Sequence, residues 1–274
     1  MCGIIGYIGQ QPATPFLLQG LNRLEYRGYD SSGIAVRNGS LEIHKCIGKI
    51  DDLESILPNE IEGTTGIAHT RWATHGGVTD ANAHPHCSEN GKIALVHNGI
   101  IENARSLRTR LEKEGIHLKS ETDSEALVHL IDRELSNGAK PLTAVRRTLK
   151  KARGTWGLCV VFEDYDMIIC ARNGSPLVIG IGDGENWIAS DTLPLQSYTQ
   201  QVILLEDGDL AVVTSDGIQT SRFDGRHTDS TVTTLEDDWG EADMGDFPHY
   251  MLKEIHEQPE VIGNTVNAHL HPST

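Results

Sequence analysis

From residue 154 onward the sequence is a succession of short apolar runs separated by turn signals. Asp183-Gly184 and Asp207-Gly208 indicate tight turns, because Asp-Gly pairs favour the backbone conformations of hairpins. Strands this numerous and this closely spaced favour antiparallel sheets with helices packed on the outside. The predicted strands cover residues 158–162, 167–171, 177–180, 186–189, 201–205 and 210–214.

The first half of the chain adds further strands and a few amphipathic helices. Apolar patterning predicts strands over residues 34–36, 40–44, 66–69 and 93–97. Helices are predicted from Thr14-Pro15, over residues 103–114, from near Thr122 and from Pro141. The third of these begins with Thr122-Asp123-Ser124-Glu125, which has the pattern of a capping box. Residues 224–247 are polar and acidic, as in a linker or an exposed loop, and a helical pattern resumes at 248–255.

The charge balance argues against one broad class of function. The chain has 23 Lys and Arg against 39 Asp and Glu, for a formal net charge of −16 at pH 7. Binding to the phosphate backbone of nucleic acids is therefore not expected. The five cysteines show no close paired spacing, which indicates reduced thiols in a cytoplasmic protein. Without a signal-peptide pattern or an apolar run of about 18 residues, neither secretion nor membrane insertion is expected.

Cys2 stands one peptide bond from the start of the chain. Removal of Met1, which the small side chain at position 2 should permit, would place a thiol and a free α-amine on one residue. An α-amine titrates near ~8 and a lysine near ~10.4, so the α-amine can accept a proton close to neutral pH. Nucleophile and base would then share a residue. The alternative is a buried cysteine in an N-terminal strand, since Ile4, Ile5 and Ile8 resemble core residues.

The loop at residues 68–76, Ala-His-Thr-Arg-Trp-Ala-Thr-His-Gly, follows a predicted strand and is rich in polar side chains. Such a loop suits a small polar ligand. Arg71 could hold a carboxylate with its planar guanidinium, whereas a lysine would offer a point charge. The alternative is a surface loop whose arginine pairs with a local acidic residue.

Two further stretches could contribute to the same site. Asn98-Gly99 ends an apolar strand, where such a pair is usually a turn. An asparagine amide beside a glycine N–H can also direct two donors at one oxyanion. Asp123 falls in the predicted first turn of a helix, where the helix dipole favours a carboxylate in any case. Its functional interpretation is a partner for a ligand ammonium group.

Three other features of the sequence are interpreted as structural and not as binding sites. His84-Pro85-His86-Cys87 could suggest a metal site, but the proline between the histidines and the lack of a second ligand pair argue against zinc. The glycine-rich segment 180–184 lacks a following helix pattern, so we interpret it as a hairpin turn and not a nucleotide-binding loop. Cys46, Cys159 and Cys170 are interpreted as core thiols.

Several motifs, in order along residues 2 to about 240, resemble one enzyme family. Cys-Gly-Ile-Ile-Gly at 2–6 alone indicates only the wider class of N-terminal-nucleophile amidotransferases, which includes amidophosphoribosyltransferase and asparagine synthetase. Tyr-Arg-Gly-Tyr-Asp-Ser at 26–31 and Arg-Trp-Ala-Thr-His-Gly at 71–76 narrow the resemblance to the glutaminase domain of the glucosamine-6-phosphate synthase family, the glutamine–fructose-6-phosphate aminotransferases. The motifs at 82–86, 97–103 and 120–123 are similar to that family as well.

The resemblance implies glutaminase chemistry. The Cys2 thiol would attack the side-chain amide carbon of L-glutamine while its α-amine handles the proton. Ammonia would leave, and water would hydrolyse the γ-glutamyl thioester to glutamate. The family implies an oxyanion hole formed by Asn98 and Gly99, binding of the substrate α-carboxylate by Arg71 and of its α-ammonium by Asp123, and further substrate contacts from Trp72, Thr74, His75, His84 and Arg27.

The resemblance also implies an α+β fold, the four-layer αββα sandwich of N-terminal-nucleophile (Ntn) hydrolases. Residues 1–240 would form the glutaminase domain, and residues 241–274 a linker and the truncated start of a sugar-isomerase domain. The fructose 6-phosphate site would then lie outside this chain. Ammonia would normally pass to that sugar to make glucosamine 6-phosphate. No metal or other cofactor is expected, and the full-length enzyme is expected to be a homo-oligomer.

Two alternatives stay open. The chain could be a stand-alone or non-catalytic glutamine-binding module, if the loop around Arg71 cannot close. It could also be the glutaminase of another Ntn amidotransferase, such as amidophosphoribosyltransferase. Glutamine binding without turnover would separate the module from the enzyme.

Overall fold

The computed structural model describes residues 2–228, 231–235, 245–248 and 250–269. The chain divides into two compact units, Met1–Asp237 and Asp238–Thr274. Within the described residues of the second unit, one helix spans Tyr250–His269. The helical pattern that begins at residue 248 in the sequence is thus present, and it continues well beyond residue 255.

The described residues of the first unit form two antiparallel sheets. An eight-stranded sheet has the order β14-β11-β9-β10-β1-β4-β2-β3, and a six-stranded sheet has the order β13-β12-β8-β7-β6-β5. In chain order the strands are β1 (Gly3–Ile8), β2 (Ser31–Asn38), β3 (Ser40–Ile47), β4 (Thr65–Arg71), β5 (His86–Cys87), β6 (Ile93–Ile101), β7 (Gly154–Phe162), β8 (Tyr165–Asn173), β9 (Val178–Ile181), β10 (Asn186–Ala189), β11 (Gln201–Leu204), β12 (Asp209–Val213), β13 (Ile218–Arg222) and β14 (Val232–Thr234).

Among the described residues of the first unit, five α-helices accompany the sheets. They are α1 (Ala13–Leu24), α2 (Ile50–Ile56), α3 (Ala104–Lys113), α4 (Glu125–Ser136) and α5 (Pro141–Leu149), with a 3₁₀ turn over Glu25–Arg27 after α1. Across the part of the chain that is described, no helix is both long enough and apolar enough to cross a membrane.

Three apolar layers separate the sheets and helices. In β1, Ile4 and Ile8 point into the layer between the two sheets, where Val96 of β6 also lies. Ile5 and Tyr7 point the other way, into a layer with α1 and α2. A third layer lies between the six-stranded sheet and α3, α4 and α5. Because successive strand residues face opposite sides of a sheet, β1 contributes side chains to both of these layers. The two sheets with helices on their outer faces form an αββα sandwich.

The structure corrects two expectations. Helix α4 begins at Glu125 and not near Thr122, and the Glu125 carboxylate accepts hydrogen bonds from the backbone N–H groups of Lys119 and Ser120 at 2.7 and 2.8 Å. Asp123 therefore precedes the helix. The polar stretch 224–247 contains a strand, β14, whose exposed side chains hide it from apolar patterning while its backbone pairs with β11. Residues 229–230 and 236–244 of that stretch lie outside the described residues.

Candidate active site

The candidate site lies where β1 begins and β4 ends. Gly3 pairs with Thr70 in the antiparallel ladder between these strands, so Cys2 comes beside the end of β4 at Arg71. The other sheet contributes the end of β6, because the Asn98 Nδ2 donates a hydrogen bond to the Cys2 carbonyl at 3.1 Å. Residues far apart in the sequence thus meet at one end of the stacked sheets.

The Cys2 thiol is partly buried and contacts backbone atoms of Trp72. The Trp72 N–H donates to Sγ at 3.3 Å, and Sγ lies 3.6 Å from the Trp72 carbonyl oxygen. Burial raises the pKa of the Cys2 thiol above its usual range, although the Trp72 N–H opposes this shift. The thiol is therefore mostly protonated near neutral pH, and a reaction at this sulfur needs a nearby base.

A narrow cavity opens beside the Cys2 thiol. Its volume is about 30 Å³, which is room for one or two water molecules. Eight of the ten residues predicted for the site line it: Cys2, Arg71, Trp72, Thr74, His75, His84, Gly99 and Asp123. The remaining lining residues, His97, Thr122 and Ser124, lie within the motifs of the sequence but were not predicted to belong to the site.

Arg71 and Asp123 bring opposite charges into the wall of this cavity. Arg71 is 4% exposed and donates to the backbone carbonyls of His75 at 2.6 Å and Gly77 at 3.3 Å. The Asp123 carboxylate accepts from the Ile101 N–H at 2.6 Å. Among the described residues neither side chain forms an ion pair. A buried charge without a counter-ion is costly, so both groups favour a ligand that carries the complementary charges.

Asn98 and Gly99 lie at the end of β6. Asn98 is 8% exposed, and its Oδ1 lies 3.0 Å from the His69 Nε2. Gly99 has a φ of +136°, and a Cβ at this position would lie 2.2 Å from the Thr155 carbonyl oxygen. Only glycine fits this backbone, which leaves Gly99 free to line the cavity with its main chain.

The loop after β4 carries exposed side chains. Trp72 is 37% exposed and makes an edge contact with the Tyr29 ring at a centroid distance of 5.6 Å. The Asp30 carboxylate accepts a hydrogen bond from the Ala73 N–H, which ties the start of the loop to the segment before β2. Thr74 and His75 are exposed at the cavity mouth. The loop is thus tied down at its base while its tip faces solvent.

Arg27 is placed outside this cavity. Its guanidinium pairs with the Asp191 carboxylate, and its Nε donates to the Tyr26 hydroxyl at 3.0 Å. A role for Arg27 in the site stays a prediction from the sequence resemblance.

Four buried histidines lie at or next to the cavity, and His84 and His97 are in its wall. The His84 ring centroid is 4.3 Å from that of His69 and 4.5 Å from that of His86. His97 is buried nearby, and its Nδ1 lies 2.8 Å from the Ser124 hydroxyl. Burial lowers the pKa of all four histidines, that of His69 to about 3. These rings are therefore neutral at physiological pH. In the portion of the chain that is described, no cluster of His, Cys, Asp and Glu could hold a metal ion.

The buried histidines predict a loss of stability in mild acid. A folded-state pKa below the unfolded value of about 6.5 means that the unfolded chain binds more protons below pH 6.5. The free energy of unfolding should therefore fall as the pH drops from 7 to 5, and His69, whose folded-state pKa is about 3, should contribute about 2 kcal/mol of that loss at pH 5. Urea unfolding at several pH values measures this slope. His84→Asn should lessen it, and a slope that is flat in the unaltered chain would contradict the assignment of neutral buried rings.

The sequence is similar to one group of known enzymes. A family model described as a glutamine amidotransferase domain matches residues 69–197. The chain is 51% identical over 269 residues to the glutamine–fructose-6-phosphate aminotransferase (isomerizing) of Chlorobaculum tepidum, an alignment that covers 96% of this chain and 44% of that relative. An enzyme of the same name from Thermus thermophilus is 47% identical over 272 residues, covering 98% of this chain and 45% of the relative. The chain thus spans less than half the length of these relatives.

The fold comparison agrees with the sequence comparison. The glutamine phosphoribosylpyrophosphate amidotransferase of B. subtilis superimposes with a TM-score of 0.72 at 28% identity, covering 81% of this chain and 49% of that one. This likeness confirms the Ntn-type αββα sandwich that the sequence resemblance implied. The chain therefore contains a glutamine amidotransferase domain and is similar to part of the glutamine–fructose-6-phosphate aminotransferases.

Proposed function

We propose that this chain hydrolyses L-glutamine to L-glutamate and ammonia through a γ-glutamyl thioester on Cys2. The observation that carries this proposal is the cavity beside the Cys2 thiol, whose wall includes a buried arginine and a buried aspartate without ion-pair partners among the described residues. Free glutamine has an α-carboxylate, an α-ammonium and a side-chain amide. Arg71 would bind the carboxylate and Asp123 the ammonium, which selects free glutamine over a protein-bound amide.

The acylation step needs a base because burial raises the pKa of the thiol. We assign this role to the α-amine of Cys2 once Met1 is removed. The amine takes the thiol proton, the sulfur attacks the amide carbon, and negative charge develops on the amide oxygen. The Asn98 amide and the Gly99 N–H would donate to that oxygen. The amine then returns the proton to the leaving nitrogen, and ammonia departs.

The second half of the reaction reuses the same groups. Water attacks the thioester carbon, the α-amine takes a proton from that water, and the oxyanion again receives the Asn98 and Gly99 donors. Collapse of this intermediate breaks the carbon–sulfur bond, releases glutamate and restores the thiol. No metal or other cofactor is needed for either step. A reduced thiol at Cys2 fits a cytoplasmic setting.

Glutamine binding requires the loop after β4 to move. A cavity of about 30 Å³ is too small for the substrate, and the Arg71 guanidinium is occupied by the carbonyls of His75 and Gly77. A substrate carboxylate would replace those carbonyls as the acceptor. Trp72, Thr74 and His75 would then close over the bound molecule, and His84 would contact it from the cavity wall.

We further propose that the ammonia is delivered to fructose 6-phosphate by a larger enzyme that makes glucosamine 6-phosphate. The support is the activity for which the relatives that are 47% and 51% identical to this chain are named. Each relative is more than twice as long as the region that aligns with this chain. Residues 241–274 would be the linker and the beginning of the sugar-isomerase domain, and the complete enzyme would be a homo-oligomer. The chain by itself should then release glutamate but form no glucosamine 6-phosphate.

Glutamate release by the purified chain tests the proposal. Turnover of glutamine supports the enzyme, and glutamate formation should remain when fructose 6-phosphate is omitted. Binding of glutamine by correctly processed protein without any glutamate release would instead favour a glutamine-binding module.

Arg71→Lys should weaken glutamine binding with a smaller effect on kcat. Lysine keeps the charge but loses the two-pronged contact with a carboxylate, so KM for glutamine should rise about 10- to 100-fold. Steady-state glutamate release over a range of glutamine concentrations measures this change. Arg37→Lys is the matched control, because Arg37 lies on β2 and bonds to the Glu163 carbonyl and Asp166 outside the cavity. An unchanged KM in Arg71→Lys would count against the assigned role.

A further inference from the structure

The Asn98 side-chain amide connects the two sheets of the sandwich. Its Nδ2 lies 3.1 Å from the Cys2 carbonyl oxygen, next to β1 of the eight-stranded sheet. Its Oδ1 lies 3.0 Å from the Nε2 of His69, which belongs to β4 of the same sheet. Asn98 itself is on β6 of the six-stranded sheet. Both ends of one amide are thus held by the opposite sheet.

These two contacts determine which way the amide faces. A backbone carbonyl can only accept a hydrogen bond, so the Asn98 atom beside the Cys2 carbonyl must be the nitrogen. The oxygen then faces His69, and the His69 Nε2 must carry a hydrogen to avoid two acceptors in contact. The amide nitrogen has two hydrogens. One bonds to the Cys2 carbonyl. In the proposed function the other would donate to the substrate oxyanion.

We propose that His69 is a positioning residue, which holds the Asn98 amide through an Nε2–H···Oδ1 hydrogen bond so that its N–H donors face the nucleophile. This inference rests on the proposed glutaminase function, in which Asn98 stabilises the oxyanion. A reversed amide would place its oxygen beside the Cys2 carbonyl and aim a lone pair at the developing negative charge. Both of these contacts would be repulsive. The reversed amide would also have no N–H donor facing the oxyanion of the transition state.

The surroundings of His69 suit this role. His69 is fully buried, and its ring packs against the His84 ring at a centroid distance of 4.3 Å with an interplanar angle of 32°. Burial lowers the pKa of His69 to about 3, so the ring stays neutral across the working pH range. A neutral ring has one N–H, and the geometry at Asn98 assigns it to Nε2. The donor is therefore fixed in position and in protonation state.

Variants of His69 that differ in the position of their N–H donor test the proposal. The measured quantities are kcat and KM for glutamine hydrolysis. His69→Leu removes the donor and should lower kcat for glutamine hydrolysis about 10- to 100-fold while changing KM less than about threefold. His69→Gln can place an amide N–H near the Nε2 position and should recover most of the activity. His69→Asn has the same amide on a shorter side chain and should remain slow. Equal activities of the Gln and Asn variants would overturn the proposal, even if His69→Leu fails to fold.

A double-mutant cycle with Asn98 separates positioning from a general structural role. Asn98→Ala should cost about 100- to 1,000-fold in kcat. Adding His69→Leu to Asn98→Ala should cost less than about threefold more, because His69 acts through the amide that is already gone. Losses that multiply in the double variant would show that His69 acts independently of Asn98, which contradicts the proposal.

A spectroscopic measurement reads the His69 tautomer without any turnover. The ¹⁵N spectrum of labelled protein should show His69 as the neutral Nε2–H tautomer, and Asn98→Ala should shift that signal. An Nδ1–H tautomer would overturn the proposal. If the protein shows this Nε2–H tautomer but releases no glutamate, the proposed function fails while the hydrogen bond stands. If glutamate is released but the kcat losses of the two single variants multiply in the double variant, only the role of His69 fails.

Discussion

Cys2→Ala should abolish glutamate release from glutamine, with a loss of about 10⁴-fold or more. The variant removes the sulfur that forms the thioester, and the remaining oxyanion donors cannot replace a nucleophile. Glutamine binding should persist, because Arg71 and Asp123 are unchanged in the cavity wall. Glutamate assays measure the first result, and isothermal titration with glutamine measures the second.

Cys46→Ala is the control for this experiment. Cys46 is a partly buried free thiol on β3, and it does not line the cavity beside Cys2. Its replacement should leave glutamate release unchanged. Equal losses in the two variants, or a Cys2→Ala protein that still turns over glutamine, would refute covalent catalysis at Cys2.

Gly99→Ala should lower kcat at least about 100-fold and also destabilise the fold. The backbone φ of +136° is strained for any residue with a Cβ, and the added carbon would lie 2.2 Å from the Thr155 carbonyl oxygen. The end of β6 would have to move away from β7, and the Gly99 N–H would leave the oxyanion position. We expect the free energy of unfolding to fall by about 2 to 4 kcal/mol. Glutamate release and chemical denaturation measure the two effects.

Gly91→Ala separates the clash from ordinary backbone strain. Gly91 has a φ of +74°, and a Cβ there would meet no atom within 4 Å. This variant should cost about 1 to 2 kcal/mol of stability and leave glutamate release unchanged. If Gly99→Ala retained full activity, the Gly99 N–H could not be an essential donor.

Much of the sandwich could be predicted from strand spacing. The short apolar runs after residue 154 correspond to β7 through β12, and all of them pair with antiparallel neighbours. The stacking of two sheets could not be derived in the same way. The run Ile4–Ile8 is buried on both faces, and nothing in its pattern says whether a sheet or a helix covers each face. The resemblance to Ntn enzymes supplied that step.

The candidate site, too, could be predicted only in part from the sequence. Cys2, Arg71 and the Asn98-Gly99 pair could be selected by residue type, but their meeting depends on strand register, such as the pairing of Gly3 with Thr70. A single sequence does not determine that register.

His69 received no role in the sequence analysis, because a histidine inside a buried strand gives no local signal of function. Its contact with Asn98 joins residues 29 positions apart on different sheets. Similarly, the pairing of Arg27 with Asp191, 164 positions away, could not be anticipated from the sequence.

The most direct test of the central claim compares two proteins that differ only ahead of Cys2. One has Cys2 as its first residue, and the other has a single glycine before it, with both N-termini verified by mass spectrometry. If the α-amine of Cys2 is the base, the first protein should release glutamate from glutamine and the second should lose that activity almost entirely. Equal rates of glutamate release from both would contradict an N-terminal nucleophile at this site.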